Sequence, residues 1–411
     1  MSRPAANMPD IRNFGCRLNI AEGENVRAAA MQAGAEDAVI FNSCAVTDEA
    51  VRQARQAVRR ARRENPDRPI FVTGCAAELE AEAFAAMGAK VVSNHAKGNA
   101  QSYASGARPA SAPSSTPYRP ALSGADHARA FLGVQTGCSH SCTFCATVLA
   151  RGSANSATFA TVLDAARTAL ERGQREIILT GVDLASFGDD SGTSLAALVE
   201  ALLGLSGLER LRLSSLDPDR VDDALFALLT EEARIMPHVH LSLQAGDDMI
   251  LKRMKRRHSR AEAVRLVARL KQARPEIAIG ADLIAGFPTE DDAMFANSLA
   301  LIEDCDIIFG HIFPYSPRAG TAAARMPQVD RAIARARAAQ MRAANELRRH
   351  AWMDAQIGQS AVMLVERDGQ TGHAANFAAL ALTAPEPAGA ILKVQILARD
   401  GDRLIVERIA A

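Results

Sequence analysis

Short apolar runs alternate with helix-length amphipathic segments along most of this chain. Near the start, Ile11-Arg-Asn-Phe-Gly-Cys16, Ala38-Val-Ile-Phe-Asn-Ser-Cys44 and Pro69-Ile-Phe-Val-Thr-Gly-Cys75 are strand-like, and each is followed by a helical pattern. The helix after Cys44 is predicted to start at a capping Thr47, with Asp48 and Glu49 in its first turn and Val51, Ala54, Val58 and Ala61 on its apolar face. This wiring predicts a parallel α/β domain over residues 1–100. Further on, Glu176-Ile-Ile-Leu-Thr-Gly181-Val-Asp183, Arg210-Leu-Arg-Leu-Ser-Ser215-Leu-Asp-Pro218, His238-Val-His-Leu-Ser-Leu-Gln244-Ala-Gly246, Ile279-Gly-Ala-Asp282-Leu-Ile-Ala-Gly286-Phe-Pro288 and His311-Ile-Phe-Pro-Tyr315-Ser-Pro-Arg318 are apolar runs ending in small or polar residues. Separated by helix-length segments, they predict a partial parallel (β/α)6 barrel over 126–350, with its chemistry at the carboxyl ends of the strands. From 351 to 411 the period shortens. Ala361–Glu366, Phe377–Leu382, Ile391–Leu397 and Arg403–Glu407 predict a small antiparallel β-barrel. Between 101 and 125 the composition turns to Ser, Ala, Gly and Pro, which predicts a flexible linker.

A chain of 411 residues is long enough for two or three domains. No apolar stretch approaches membrane-spanning length and the first ten residues lack the apolar core of a secretion signal, so the expected location is the cytoplasm, with no membrane partner. In that reducing compartment, seven cysteines argue for metal ligation or thiol chemistry rather than disulfides. The 47 basic residues balance 47 acidic ones, so any nucleic-acid surface must be local.

The chemistry concentrates in Cys138-Ser-His-Ser-Cys142-Thr-Phe-Cys145. Three thiolates at this spacing hold part of a four-iron cluster and leave one iron open to the amino and carboxylate groups of a small molecule. A zinc knuckle is the plainer alternative, but it takes four ligands, and no fourth Cys or His follows at finger spacing. Cys16, Cys44 and Cys75 each stand at the end of a predicted strand. In a parallel sheet those ends share one edge, so the three either converge on a second metal group or are separate buried thiols.

The Cys138–Cys145 run resembles the radical S-adenosylmethionine enzymes, and Phe144 before the last cysteine fits their pattern. Together with Phe-Gly-Cys16-Arg-Leu-Asn19, Asn42-Ser-Cys44-Ala-Val-Thr47, Thr73-Gly-Cys75 and the later strand blocks, nearly the whole chain resembles the methylthiotransferases of that superfamily. The resemblance implies a Rossmann-like first domain, a radical S-adenosylmethionine barrel and a tail like the RNA-binding TRAM module. It implies two [4Fe-4S] clusters, one on Cys138, Cys142 and Cys145 that reduces S-adenosylmethionine, and an auxiliary one on Cys16, Cys44 and Cys75 that carries or activates sulfur. Phe144, Gly181, Ser214, Gln244 and Asp282 would contact S-adenosylmethionine, although a Gly, Ser or Asp at a strand end is as readily a turn or cap. No further catalytic side chain is assigned. The implied partners are a tRNA anticodon stem-loop, a reduced electron donor and a sulfur donor.

Within the family, the blocks around Gln244 and Tyr315 look most like the branch that converts N6-threonylcarbamoyladenosine at position 37 of tRNA to its 2-methylthio derivative. The alternatives are isopentenyladenosine in tRNA, an aspartate of a ribosomal protein, or an iron–sulfur RNA-binding protein without turnover. The chain departs from the family in reading Ala146-Thr-Val148-Leu149-Ala150-Arg151-Gly152 where a Pro-aromatic pair is usual before Arg-Gly, and in having His373 where Arg is more usual. The second departure implies RNA affinity in the tail that varies with pH or is reduced.

Candidate RNA contacts are Arg52, Arg55, Arg59 and Arg62 on one face of the helix after Cys44, and the basic run Lys252–Arg260. The tail, with five Arg or Lys against seven Asp or Glu, is a weak phosphate binder. Cys305 lies in an apolar junction and is expected to be a buried thiol. His238 and His240 share a strand and are expected to send their rings to opposite faces, which argues against a shared metal.

Overall fold

The computed structural model describes residues 8–104 and 117–409. The first domain runs β1 (Asp10–Asn13), α1 (Arg17–Gln32), β2 (Val39–Ser43), α2 (Asp48–Glu64), β3 (Ile70–Gly74), α3 (Cys75–Leu79), α4 (Ala81–Ala85) and β4 (Lys90–Val91). Its four strands are parallel and lie in the order β1-β2-β3-β4. Side chains alternate across a strand, so each face needs its own cover. Phe41 and Val72 pack against Val51, Ala54 and Val58 of α2, while Ile40 and Phe71 pack against Val26, Ala29 and Ala30 of α1. Every position of β2 and β3 is therefore buried. Thr47 caps α2 by accepting from the Ala50 amide, as expected.

The second domain comprises β5 (Ala121–Leu122), β6 (Ala130–Gly133), β7 (Gln135–Thr136), α5 (Thr147–Arg151), β8 (Asn155–Ser156), α6 (Phe159–Glu171), β9 (Glu176–Thr180), α7 (Leu195–Leu203), β10 (Arg210–Leu213), α8 (Asp223–Glu231), β11 (His238–Gln244), α9 (Asp248–Met254), α10 (Arg260–Ala273), β12 (Ala278–Ala285), α11 (Asp292–Asp304), β13 (Ile307–Pro314) and α12 (Arg331–Asp354). Strands β6, β9 and β10 form one parallel set and β11, β12 and β13 another. Isolated parallel bridges Leu211↔Ile235 and Leu216↔Leu241 join them into an open half-barrel of six strands. Ile177, Leu179, Leu211, Leu213, Val239, Leu241, Ala281 and Leu283 face the outer helices in a single core. The alternate positions Glu176, Arg210, Arg212, His238, His240 and Asp282 therefore turn to the concave side.

The expected linker 101–125 is ordered at both ends. Tyr103 is buried against Phe71, with ring centroids 5.3 Å apart, and β5 pairs antiparallel with β6. Residues 105–116, with Pro109 and Pro113, lie outside the described residues.

The third domain is a closed barrel of β14 (Ser360–Val365), β15 (Thr371–Ala374), β16 (Ala379–Leu382), β17 (Ile391–Asp400) and β18 (Arg403–Arg408), in the order β14-β15-β16-β18-β17. It is not wholly antiparallel, because β16 and β18 run parallel. It also has one strand more than the apolar pattern predicts. In β15 the sequence Thr-Gly-His-Ala carries no apolar alternation, and it becomes a strand only by pairing with β14 and β16. Among the described residues, no helix is long and apolar enough to cross a membrane.

Candidate functional site

The three-cysteine loop lies between β7 and α5, at the carboxyl end of the half-barrel, and closes on itself where the Cys138 amide donates to the Gly152 carbonyl (3.1 Å). The His140 amide points at the Cys138 sulfur (3.3 Å) and the Thr147 amide at that of Cys145 (3.4 Å). Burial pushes the Cys138 thiol up to about 12, and the Asp183 carboxylate at 3.5 Å adds to the rise. Burial raises Cys142 as well, opposed by the Arg256 guanidinium 3.5 Å away. The Cys145 charge acts on both neighbours, so the three sulfurs share one electrostatic site. Three soft thiol donors, with backbone amides aimed at them, fit an iron–sulfur group.

A polar chain surrounds this loop. Asp183 follows β9 and Asp217 follows β10, and both face the buried His140 ring, at 3.3 Å from Nε2 and 3.5 Å from Nδ1 respectively. Arg256 pairs with Asp217 and donates to the Ser242 carbonyl (2.9 Å). Gln135 Oε1 accepts from the Val182 and Asp183 amides, both at 3.0 Å. A Cβ on Gly181 would sit 2.9 Å from that same oxygen, which explains glycine there. Of the other expected cofactor contacts, Ser214 has a buried Oγ without a partner among the described residues, and Gln244 takes a left-handed φ of 66°. Asp282 is held far below the usual carboxylate range, its burial outweighed by His240 and His311, each 3.2 Å from Oδ1. Phe144 packs edge-on against Phe287, centroids 6.4 Å apart. Asp183, Asp217, His140 and Arg256 were legible only as parts of motif blocks, because their roles depend on strands distant in sequence.

His238 and His240 do not face apart. Residues two apart on a strand share a face, and their ring centroids lie 6.4 Å from each other. His238 stacks against Phe377 of the third domain (4.8 Å), while His240 forms with Asp282 and His311 a compact group able to hold a metal ion. Cys305 is fully buried in the barrel core, as expected.

The strand-end cysteines converge. Burial pushes the Cys44 thiol up to about 11, and the charges of Cys16 and Cys75 raise it further. Arg151, the last residue of α5, reaches across the domain boundary with its Nε 3.2 Å from the Cys75 sulfur. Its Nη atoms bind Glu22 (2.9 and 3.0 Å) and Asn19 (2.8 Å). Lys97 completes the group at 2.5 Å from Glu22. The helix that begins beside Cys145 thus ends at Cys75, and one buried arginine ties the two thiol sites together.

Much of the expected basic surface is committed to the protein itself. Val51, Ala54, Val58 and Ala61 form the buried face of α2, but Arg55 pairs with Glu80 and Arg62 binds the carbonyls of Pro66, Arg68 and Gly88. Arg52 pairs with Glu49 (2.6 Å), and Arg59 is exposed. In the 252–260 run, Arg253, Arg256 and Arg260 bind Thr289, Asp217 and Asp304. His373 does not offer a free RNA-facing ring. It stacks on Phe377 and lies 2.9 Å from Arg129 Nη2, and burial lowers its pKa.

Residues 132–302 match the radical SAM superfamily, and residues 10–93 match the uncharacterized protein family UPF0004. A threonylcarbamoyladenosine tRNA methylthiotransferase MtaB of Rickettsia prowazekii is 39% identical over 94% of each chain. One of Thermotoga maritima is 33% identical over 77% of this chain and 76% of its own. A tRNA-2-methylthio-N(6)-dimethylallyladenosine synthase of Roseobacter denitrificans is 32% identical over 88% of each. Among solved structures, the radical S-adenosylmethionine methyltransferase TsrM of Kitasatospora setae aligns with a TM-score of 0.53 at 14% identity, over 77% of this chain and 75% of its own, a likeness of fold.

Proposed function

Because the chain belongs to the radical S-adenosylmethionine methylthiotransferases, we propose that it converts N6-threonylcarbamoyladenosine at position 37 of tRNA to its 2-methylthio derivative. The observation that carries this reading is the 39% identity to the Rickettsia enzyme of that name, which runs through all three domains. Cys138, Cys142 and Cys145 would hold the cluster that binds S-adenosylmethionine, and Cys16, Cys44 and Cys75 would hold a second one.

Bound there, these groups supply a carbon radical that breaks an unactivated C–H bond, together with the sulfur that replaces the hydrogen. The protein's share is placement. Gln135 fixes the turn of Gly181 to Asp183 beside Cys138, and the missing side chain at 181 lets that turn close against Gln135. Asp282, held ionised by two histidines, is a fixed acceptor on the concave face. Arg151 and Glu22, buried together, tie the segment after Cys145 to the first domain beside Cys75. A base in the anticodon loop is already partly unstacked, which lowers the cost of bringing it into the half-barrel.

A second reading, with dimethylallyladenosine as substrate, is favoured by the 32% identity to the Roseobacter synthase. Reconstituted enzyme given anticodon stem-loops carrying either adenosine, followed by mass spectrometry of the nucleosides, separates them. A methylthio product from the threonylcarbamoyl stem-loop is expected. Product from the dimethylallyl stem-loop alone would overturn the first reading.

A further inference from the structure

The closed end of the half-barrel carries more positive charge than the protein itself balances. Arg17, Arg129, Arg210 and Arg212 gather there around Glu176, with Glu366 reaching in from the third domain. That is four guanidinium groups against two carboxylates. Burial keeps His238 from protonating, so it adds no charge. Glu209, which also acts on Arg210, is paired at the surface with Arg175 (3.2 Å).

Arg129 and Arg212 are fully engaged. Arg129 binds Glu176 and Glu366, and Arg212 binds Glu176 and the carbonyls of Ala374 and Ala375 (2.8 Å each). Arg210 meets Glu176 through its Nε alone (2.9 Å), and Arg17 meets no carboxylate directly. Arg210 is 3% exposed, and its Nη1 and Nη2 have no partner among the described residues. Arg17 is half-buried, and no hydrogen bond or ion pair reaches its guanidinium among the described residues. Buried N–H donors without partners, in a group where cations outnumber carboxylates, are costly, which makes this end of the barrel a site for an anion.

Arg17 stands at the mouth of this region, next in sequence to Cys16. Its guanidinium lies over the Phe377 ring, 5.2 Å from the centroid. Phe377 is placed there at a cost, with a φ of 72° that an aromatic residue seldom adopts. Its ring also meets His238 and Arg212. An arginine positioned over a ring face can still offer its N–H groups for two bonds to a planar oxyanion.

We propose that Arg17, seated on Phe377 between the Cys16 site and the closed end of the half-barrel, receives the free carboxylate of the threonylcarbamoyl group, and that this contact sets the enzyme's choice of adenosine. The inference rests on the reading that this adenosine enters the half-barrel. A dimethylallyl group has no charge to offer and would leave Arg17 unpaired, so the same side chain that favours one substrate disfavours the other.

The test compares anticodon stem-loops carrying threonylcarbamoyladenosine as the free acid or as its methyl ester, with wild-type enzyme and with the Arg17→Gln and Arg17→Lys variants, iron per chain being measured alongside. Wild type should prefer the acid by about 10- to 100-fold in kcat/KM, the size of a desolvated charge-assisted contact. Arg17→Gln should bring the ratio close to one, and Arg17→Lys should restore part of it. Wild type that treats acid and ester alike overturns the proposal without any variant. So does Arg17→Gln enzyme that loses both substrates equally, the result expected if Arg17 held a backbone phosphate. If wild type modifies neither acid nor ester but does modify dimethylallyladenosine, the functional reading fails and takes this one with it.

Discussion

Glu22 shows how much depends on one side chain. Burial alone would raise its carboxyl, but Arg151 and Lys97 together hold it down at about 2. Arg151 is the stronger of the two holds on Glu22, and Lys97 is itself lowered by burial and by Arg151. Glu22→Gln would leave two buried cations facing each other. We expect it to destabilise the protein by about 3–5 kcal/mol, the usual cost of removing one partner from a buried ion pair, read by urea denaturation of the intact chain. The six cysteines were legible in the sequence because their chemistry announces itself by spacing and context. Glu22 and Arg151 were not, since 129 residues separate them and nothing local marks either as charged and buried.

Among the elements, strand ends and the turns that follow them set the thiol geometry. Gly15, just after β1, has a φ of 89°, and a Cβ there would fall 2.5 Å from the Cys44 Cβ and 2.6 Å from its sulfur. The turn before α1 therefore accepts only glycine if Cys44 is to keep its place. If Cys16, Cys44 and Cys75 hold the proposed second cluster, Gly15→Ala should lose it and keep the other, so that anaerobic reconstitution yields about four irons per chain in place of about eight, with 5′-deoxyadenosine still released from S-adenosylmethionine. An unchanged iron content would show that the site tolerates the displacement. Period-two alternation and helix caps made the half-barrel and α2 readable in advance. Strand β15 was not, because Thr371–Ala374 becomes a strand only through its neighbours.

For the whole molecule, two deeply buried carboxylates lie at its two domain boundaries. Glu22 joins the first domain to Arg151 of the second. Glu176 sits where Arg129 and Arg212 reach the third, and its carboxyl is likewise held at about 2, the cost of burial outweighed by Arg212, Arg210 and Arg129. Both folded-state values lie below the unfolded value of 4.5. The stability they contribute is therefore fully present above pH 4.5 and lost as pH falls towards about 2. Acid titration followed by small-angle scattering and near-ultraviolet circular dichroism should show the domains separating within that window. Integrity retained down to pH 2 would mean that apolar packing alone holds the boundaries.

By itself the sequence determined the fold class, most of the element order, the spacing of the cysteines and the family, because each depends on residues close together in the chain or on a period set by the backbone. Only the tertiary structure decided which charges meet. Arg151 was brought to Cys75, Asp217 to Arg256 and Phe377 to Arg17. It also engaged half of an expected basic stripe with the protein's own carboxylate and carbonyls, and placed His238 and His240 on one face. Such pairings are fixed by how the domains pack, and a buried charge is stabilised by whatever packing puts beside it, not by its neighbours in sequence.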